Sequence, residues 1–313
     1  MRIPEAPLFN DPIYNGAADP VIFWNRAERQ WWIVYTQRMH TAPGPGVTSI
    51  HGSRLGIASS QDGHDWLYRG TLEGLEFEHG HNTWWAPEIL WHEDRYHMYV
   101  SYVQGMPINW NRPRSIIHYI SMDGWAWKLE SKLKLSSNRV IDACVAKTSD
   151  GVWRMWYKDE DHESHTYYAD SADLFHWEPV GCAIYGDGHE GPNVFYFEDS
   201  WWLIADYWRG QRVFRSADCQ SWKYAGMILD KPGSREDDQS VGNHADVIVL
   251  GCDAYIIYFT HPLPPSDWPQ GTKLPHEYGR TSLQLGKLHR QGDTLVCDRD
   301  EVYDFVLPNG DKL

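Results

Sequence analysis

Three carboxylates stand at equivalent points of an internal repeat: Asp19 in Ala-Asp-Pro, Asp142 in Ile-Asp-Ala and Glu190 in His-Glu-Gly-Pro. Each opens a short apolar run that reads as a strand. Carboxylates gathered in a cleft are the apparatus of glycosidic-bond hydrolysis, where one activates water and another protonates the departing oxygen. A single Asp before Pro is ordinary turn chemistry. Three acidic residues in repeat phase are harder to assign to turns, because burying unpaired charge around a common axis is costly.

The repeat that must position them has five units. An aromatic strand recurs as Trp-Trp-Ile-Val-Tyr-Thr (31–36), His-Met-Tyr-Val-Ser-Tyr (97–102), Trp-Arg-Met-Trp-Tyr-Lys (153–158), Trp-Trp-Leu-Ile-Ala-Asp (201–206) and Ala-Tyr-Ile-Ile-Tyr-Phe (254–259). Another short strand precedes each, joined through polar turn formers such as His-Glu-Asp, Ser-Asp-Gly and Glu-Asp-Ser, the signature of a hairpin. Four units then carry the phrase Ser-x-Asp-x-x-x-Trp, at 60–66, 121–127, 171–177 and 216–222. Its Ser and Asp suit a turn, and its Trp can pack between neighbouring units.

Five units of about four short antiparallel strands, with almost no amphipathic helix, predict an all-β, five-bladed β-propeller. No linker divides the chain, so residues 1–313 are expected to form one catalytic domain. Residues before Asp19 or after Leu295 would complete a blade and close the ring. First strands line the channel of a propeller, so Asp19, the Trp85–Glu88 group, Asp142, Glu190 and His244 should meet at the axis. Two Pro- and Gly-rich stretches, Thr41–Ser53 and Pro262–Glu277, read as long loops.

Composition narrows the function. The net charge is −15, with 28 basic and 43 acidic residues and no basic cluster, so neither nucleic acid nor an anionic membrane is an expected partner. Aromatics make up 14% of the chain, most of them for strand and core packing and a minority available to stack on sugar rings. The five cysteines are widely spaced and odd in number, which fits free thiols better than a disulfide framework or a zinc ribbon. With no apolar leader and no stretch of about 18 apolar residues, the expected location is cytoplasmic.

Taken in order, Ala-Asp-Pro (18–20), Trp-Ala-Pro-Glu (85–88), Ile-Asp-Ala (141–143), Glu-Gly-Pro (190–192), Asn-His-Ala-Asp (243–246) and Gly-Arg-Thr-Ser (279–282) resemble glycoside hydrolase family 43 across nearly the whole chain. The resemblance implies an inverting glycosidase for arabinose-, xylose- or galactose-containing oligosaccharides. It implies Asp19 as general base, Glu190 as general acid and Asp142 as the group that orients Glu190 and raises its pKa. It implies Trp85 and Arg280 as substrate contacts, with Arg280 able to pair with Asp142. It also implies a calcium ion near His244, held through water. His189, directly before Glu190, is treated as a substrate contact. It also opens an alternative, because in the related family 117 a histidine beside this glutamate serves as the acid. A carbohydrate-binding propeller without catalysis would keep the ring and lose a carboxylate, and all three are present.

Overall fold

The computed structural model describes residues 1–42, 44–262 and 276–312. Five antiparallel sheets of four or five strands are arranged as a five-bladed propeller, with essentially no helix. The inner strands are Ala17–Asn25, Thr83–His92, Val140–Lys147, Glu190–Phe197 and Ala245–Leu250. The aromatic second strands are Gln30–Gln37, Arg95–Val103, Trp153–Asp159, Ser200–Asp206 and Asp253–Thr260. Hairpins join inner to second strands. At Glu93–Asp94 and Glu198–Asp199 both turn residues have positive φ, between 45° and 58°, the twist that suits tight hairpins.

The aromatic residues form the seams. Each pair of adjacent blades shares one apolar cluster: Trp32 with Met98, Tyr99 with Met155, Trp156 with Leu203, Trp202 with Ile256, and Tyr35 with Phe259 across the closing seam. The repeated Ser-x-Asp-x-x-x-Trp phrase performs its expected role. Ser60, Ser121, Ser171 and Ser216 each accept, at 2.9 Å, the backbone N–H three residues on. The donating residues Gly63, Gly124, Leu174 and Cys219 all have positive φ. The closing Trp then crosses to a neighbouring blade, as Trp177 does to Tyr99 (5.5 Å) and Trp222 to Trp156 (6.2 Å).

Both ends of the chain complete the fifth blade. Its third strand, Ser282–Gln291, pairs with Phe9–Asn10 near its start and with Thr294–Val296 near its end. The C-terminal tail then straps blade five to blade one, with Phe305 and Leu307 buried in the shared cluster and the Trp31 indole donating to Pro308 O at 2.7 Å. Residues 44–53 of the first long loop reach blade two, where Val47 N donates to Ile108 O at 3.2 Å. Of the second long loop, 263–275 lie outside the described residues.

Candidate active site

A shared backbone irregularity aims the acidic side chains. In four blades the register between inner and second strands slips near the start, between Ala18 and Val21, Trp85 and Glu88, Ile141 and Cys144, and Glu190 and Asn193. Each slip carries one residue of positive φ: Asp19 (47°), Ala86 (43°), Asp142 (60°) and Gly191 (56°). Such bulges re-aim side chains beside active sites, and Asp tolerates the left-handed region better than most residues. Thus Asp19 and Asp142 are structural equivalents, whereas Glu190 lies one residue earlier and Gly191 takes the bulge position. That glycine is required, because a Cβ at Gly191 would lie 2.7 Å from His244 Cγ.

Asp19, Asp142 and Glu190 line one cavity of about 550 Å³ at the end of the channel, together with Trp85, His244 and a fourth carboxylate, Asp206. Arg38, Trp110, Arg114, Arg139, Lys158, Glu160 and Trp208 complete much of its wall. Asp19 accepts from Arg38 at 3.2 Å, and His244 Nδ1 lies 3.7 Å from it. Asp142 Oδ2 accepts the Gly191 N–H at 3.1 Å, which ties it to the strand of Glu190. Asp206 accepts Trp208 N at 2.6 Å through one oxygen and His244 N at 2.8 Å through the other, joining blades four and five.

The electrostatics separate these carboxyls. Burial pushes Asp142 up to about 6, with Glu190 and Asp19 adding to the rise and His244 and Lys158 opposing it. Burial acts on Glu190 in the same direction and is the largest influence, but Lys158, joined by Trp208 and His244, holds this carboxyl below its ordinary value. The Lys158 ammonium donates to Glu190 Oε2 at 3.0 Å and reaches Glu160 at 3.3 Å. Asp206 is raised well above the usual range, by burial first and then by Glu190. Neighbouring carboxyls held apart in proton affinity, as Asp142, Glu190 and Asp206 are, can divide acid and base roles at one pH. Against the expectation that Glu190 carries the raised pKa, Asp142 is raised and Glu190 is lowered.

Two sequence expectations find different surroundings. His189 is fully buried and does not line the cavity. Its Nε2 accepts from Thr166 N at 3.1 Å and meets Thr166 Oγ1 at 2.7 Å, while Nδ1 lies 3.0 Å from Asp187 O. Burial lowers its pKa to about 4, so the ring is neutral and sealed, without access to substrate. Arg280 pairs with Asp237 rather than Asp142, donating to Asp237 Oδ1 at 2.6 Å. Asp237 also accepts from Ser282 at 2.9 Å, so the guanidinium is occupied within blade five.

The donors around His244 do not fit a directly bound calcium ion, which takes six to eight oxygens. Asp19, Asp142, Glu190 and Asp206 are each engaged as described. Among the described residues no group of three or more His, Cys, Asp or Glu side chains is arranged to hold a metal ion.

Lys158 and Asp206 were not singled out from the sequence, yet a signal existed. In an antiparallel hairpin the end of the second strand lies opposite the start of the first. Ile141 pairs with Lys158 and Glu190 with Asp206. A charged residue closing an otherwise apolar second strand therefore belongs beside the channel mouth.

No protein-family model matches the chain, and no curated protein matches it. Solved structures do share its fold. One is a thermostable family-43 glycoside hydrolase, 15% identical over 96% of this chain and 97% of that one, with a TM-score of 0.65. Another is a family-43 β-xylosidase/α-arabinofuranosidase from a compost metagenome in complex with xylotriose, 14% identical over 92% and 95%, with a TM-score of 0.66. A third is a family-43 β-1,3-galactosidase with galactodeoxynojirimycin, 13% identical over 90% and 93%, with a TM-score of 0.64. At these identities the likeness establishes the five-bladed propeller. Among the described residues no helix is long and apolar enough to cross a membrane.

Proposed function

We propose that this chain is an inverting glycoside hydrolase acting on oligosaccharides that contain arabinose, xylose or galactose. One observation carries the reading: Asp19, Asp142 and Glu190 come from three different blades to line a single cavity. The fold neighbours described as a xylosidase/arabinofuranosidase and a galactosidase support the substrate class.

In this reading Asp19, paired with Arg38 and near His244, is the base that takes a proton from water. Glu190 gives a proton to the departing glycosidic oxygen. Asp142 and Glu190 retain one proton between them until about pH 6, where Asp142 titrates, and that proton serves the acid. Such a pair titrates as a unit. The sealed ring of His189 favours Glu190 over the histidine as acid. Calcium enters the proposal only as an ion held through water beside His244, and no step depends on it.

Hydrolysis of aryl arabinofuranosides, xylosides and galactosides, with the product anomer followed by NMR, tests the reading. Release of the inverted anomer from at least one of them is expected. A retained anomer excludes the two-carboxylate inverting scheme, and inactivity on all three sugars excludes the substrate class.

A further inference from the structure

Resting on the hydrolase reading above, we propose that Trp208 is the platform of the leaving-group subsite. Its indole face would stack on the departing pyranose ring, next to the Glu190 carboxyl that protonates that ring's oxygen.

Trp208 is 53% exposed although it is a large apolar side chain, and it lines the cavity. Its backbone has φ of 57°, which a bulky residue rarely adopts. That strain is offset by the bond from Trp208 N to Asp206 at 2.6 Å. An exposed ring on a left-handed turn adds little to the core, so its packing does not account for its placement. Contacts around the ring do. The ring and the Glu190 carboxylate line the same cavity, and the Lys158 ammonium donates to Glu190 at 3.0 Å. The Lys158 ammonium lies 5.4 Å from the ring centroid. With the cation on one side, the accessible surface is left to the cavity. The acid must sit beside the leaving group, so a flat apolar surface next to Glu190 is a floor for that group. Aromatic walls with a few fixed polar groups are typical of small-ligand pockets. A pyranose in a chair offers the apolar C–H face that such a floor accepts. Trp110 is the other exposed tryptophan of the cavity, but it lies by Arg114 and not by the acid.

The test compares a disaccharide with a glycosyl fluoride of the same sugar, because fluoride leaves without a ring. For Trp208→Ala, kcat/KM on the disaccharide should fall at least tenfold further than on the fluoride, in line with the ~10–200-fold value of one apolar contact. Equal losses on the two substrates overturn the proposal. Trp208→Phe keeps a ring but loses the N–H. It should recover most of the disaccharide selectivity, and a loss as large as that of Trp208→Ala overturns the platform. Binding supplies a readout independent of turnover. Calorimetry with xylotriose on Asp19→Asn should give a Kd at least tenfold tighter than on Asp19→Asn combined with Trp208→Ala. Equal affinities overturn the platform even if the wild-type protein cleaves neither substrate, an outcome that would count against the hydrolase reading itself.

Discussion

Lys158 sets the alkaline limit of the proposed reaction, and replacing it with methionine should move that limit upward. The ammonium lies 3.0 Å from Glu190 Oε2 and 3.3 Å from Glu160. At an effective dielectric of ~20, a unit charge pair at this separation interacts by about 5 kcal/mol. Sharing with Glu160 and the partial exposure of Glu190 reduce this, and a neighbouring opposite charge typically lowers a carboxyl by about 1–3 pH units. Lys158 also opposes the rise at Asp142, so both members of the pair should gain proton affinity when it is removed. A general acid works only while protonated, so activity is lost as pH rises through its pKa. Raising that pKa extends activity to higher pH. In Lys158→Met the alkaline limb of kcat/KM, expected near pH 6 in the wild-type protein from the Asp142 value, should therefore move up by about 1–3 units. Two units above the wild-type limb, the variant should be the faster enzyme by about tenfold or more. Glu160 keeps Arg114 and Arg139 as partners, which favours folding of the variant. The assay is a pH series of kcat/KM from 4 to 9 on an unactivated disaccharide. A limb that stays in place or moves down refutes the reasoning.

Asp19→Asn and Glu190→Gln should each lower kcat by about 10²–10⁴-fold. An activated leaving group should restore only Glu190→Gln, and rescue of Asp19→Asn instead would reverse the two roles. Asp206→Asn removes one of two acceptors for buried N–H groups and should cost about 1–3 kcal/mol in urea unfolding; unchanged stability would show that the blade-four to blade-five link carries no load. The buried pair His97 and His118 meets at 3.0 Å, and burial depresses them to about 4 and about 3. The unfolded chain, with histidines near 6.5, then binds more protons, so stability falls as pH drops from ~6.5 toward those folded values. Replacing His118 with Phe should flatten that dependence in thermal melts, and an equal acid loss in both proteins argues against it. Dialysis against EDTA should lower Tm or kcat if a water-held calcium ion stands by His244, and no change in either removes calcium from the proposal.

The architecture was legible in the sequence because a propeller repeats its local chemistry. Ser-x-Asp-x-x-x-Trp closes through bonds within a few residues, and the aromatic strands bury against copies of themselves, so spacing alone encodes both. The blade starts were legible for the same reason, and Asp19, Asp142, Glu190, Trp85 and His244 do meet at one cavity. The position of His189 was also available in principle. Neighbouring residues in extended chain point to opposite faces, so a channel-facing Glu190 turns His189 away. Tertiary structure decided the rest. The one-residue offset of Glu190 depends on a bulge whose position follows from pairing with the second strand. Arg280 found Asp237, 43 residues earlier, instead of the channel. The opposite shifts of Asp142 and Glu190 follow from Lys158, His244 and the depth of burial. Those quantities come from distances between blades, and no local pattern of residues records them.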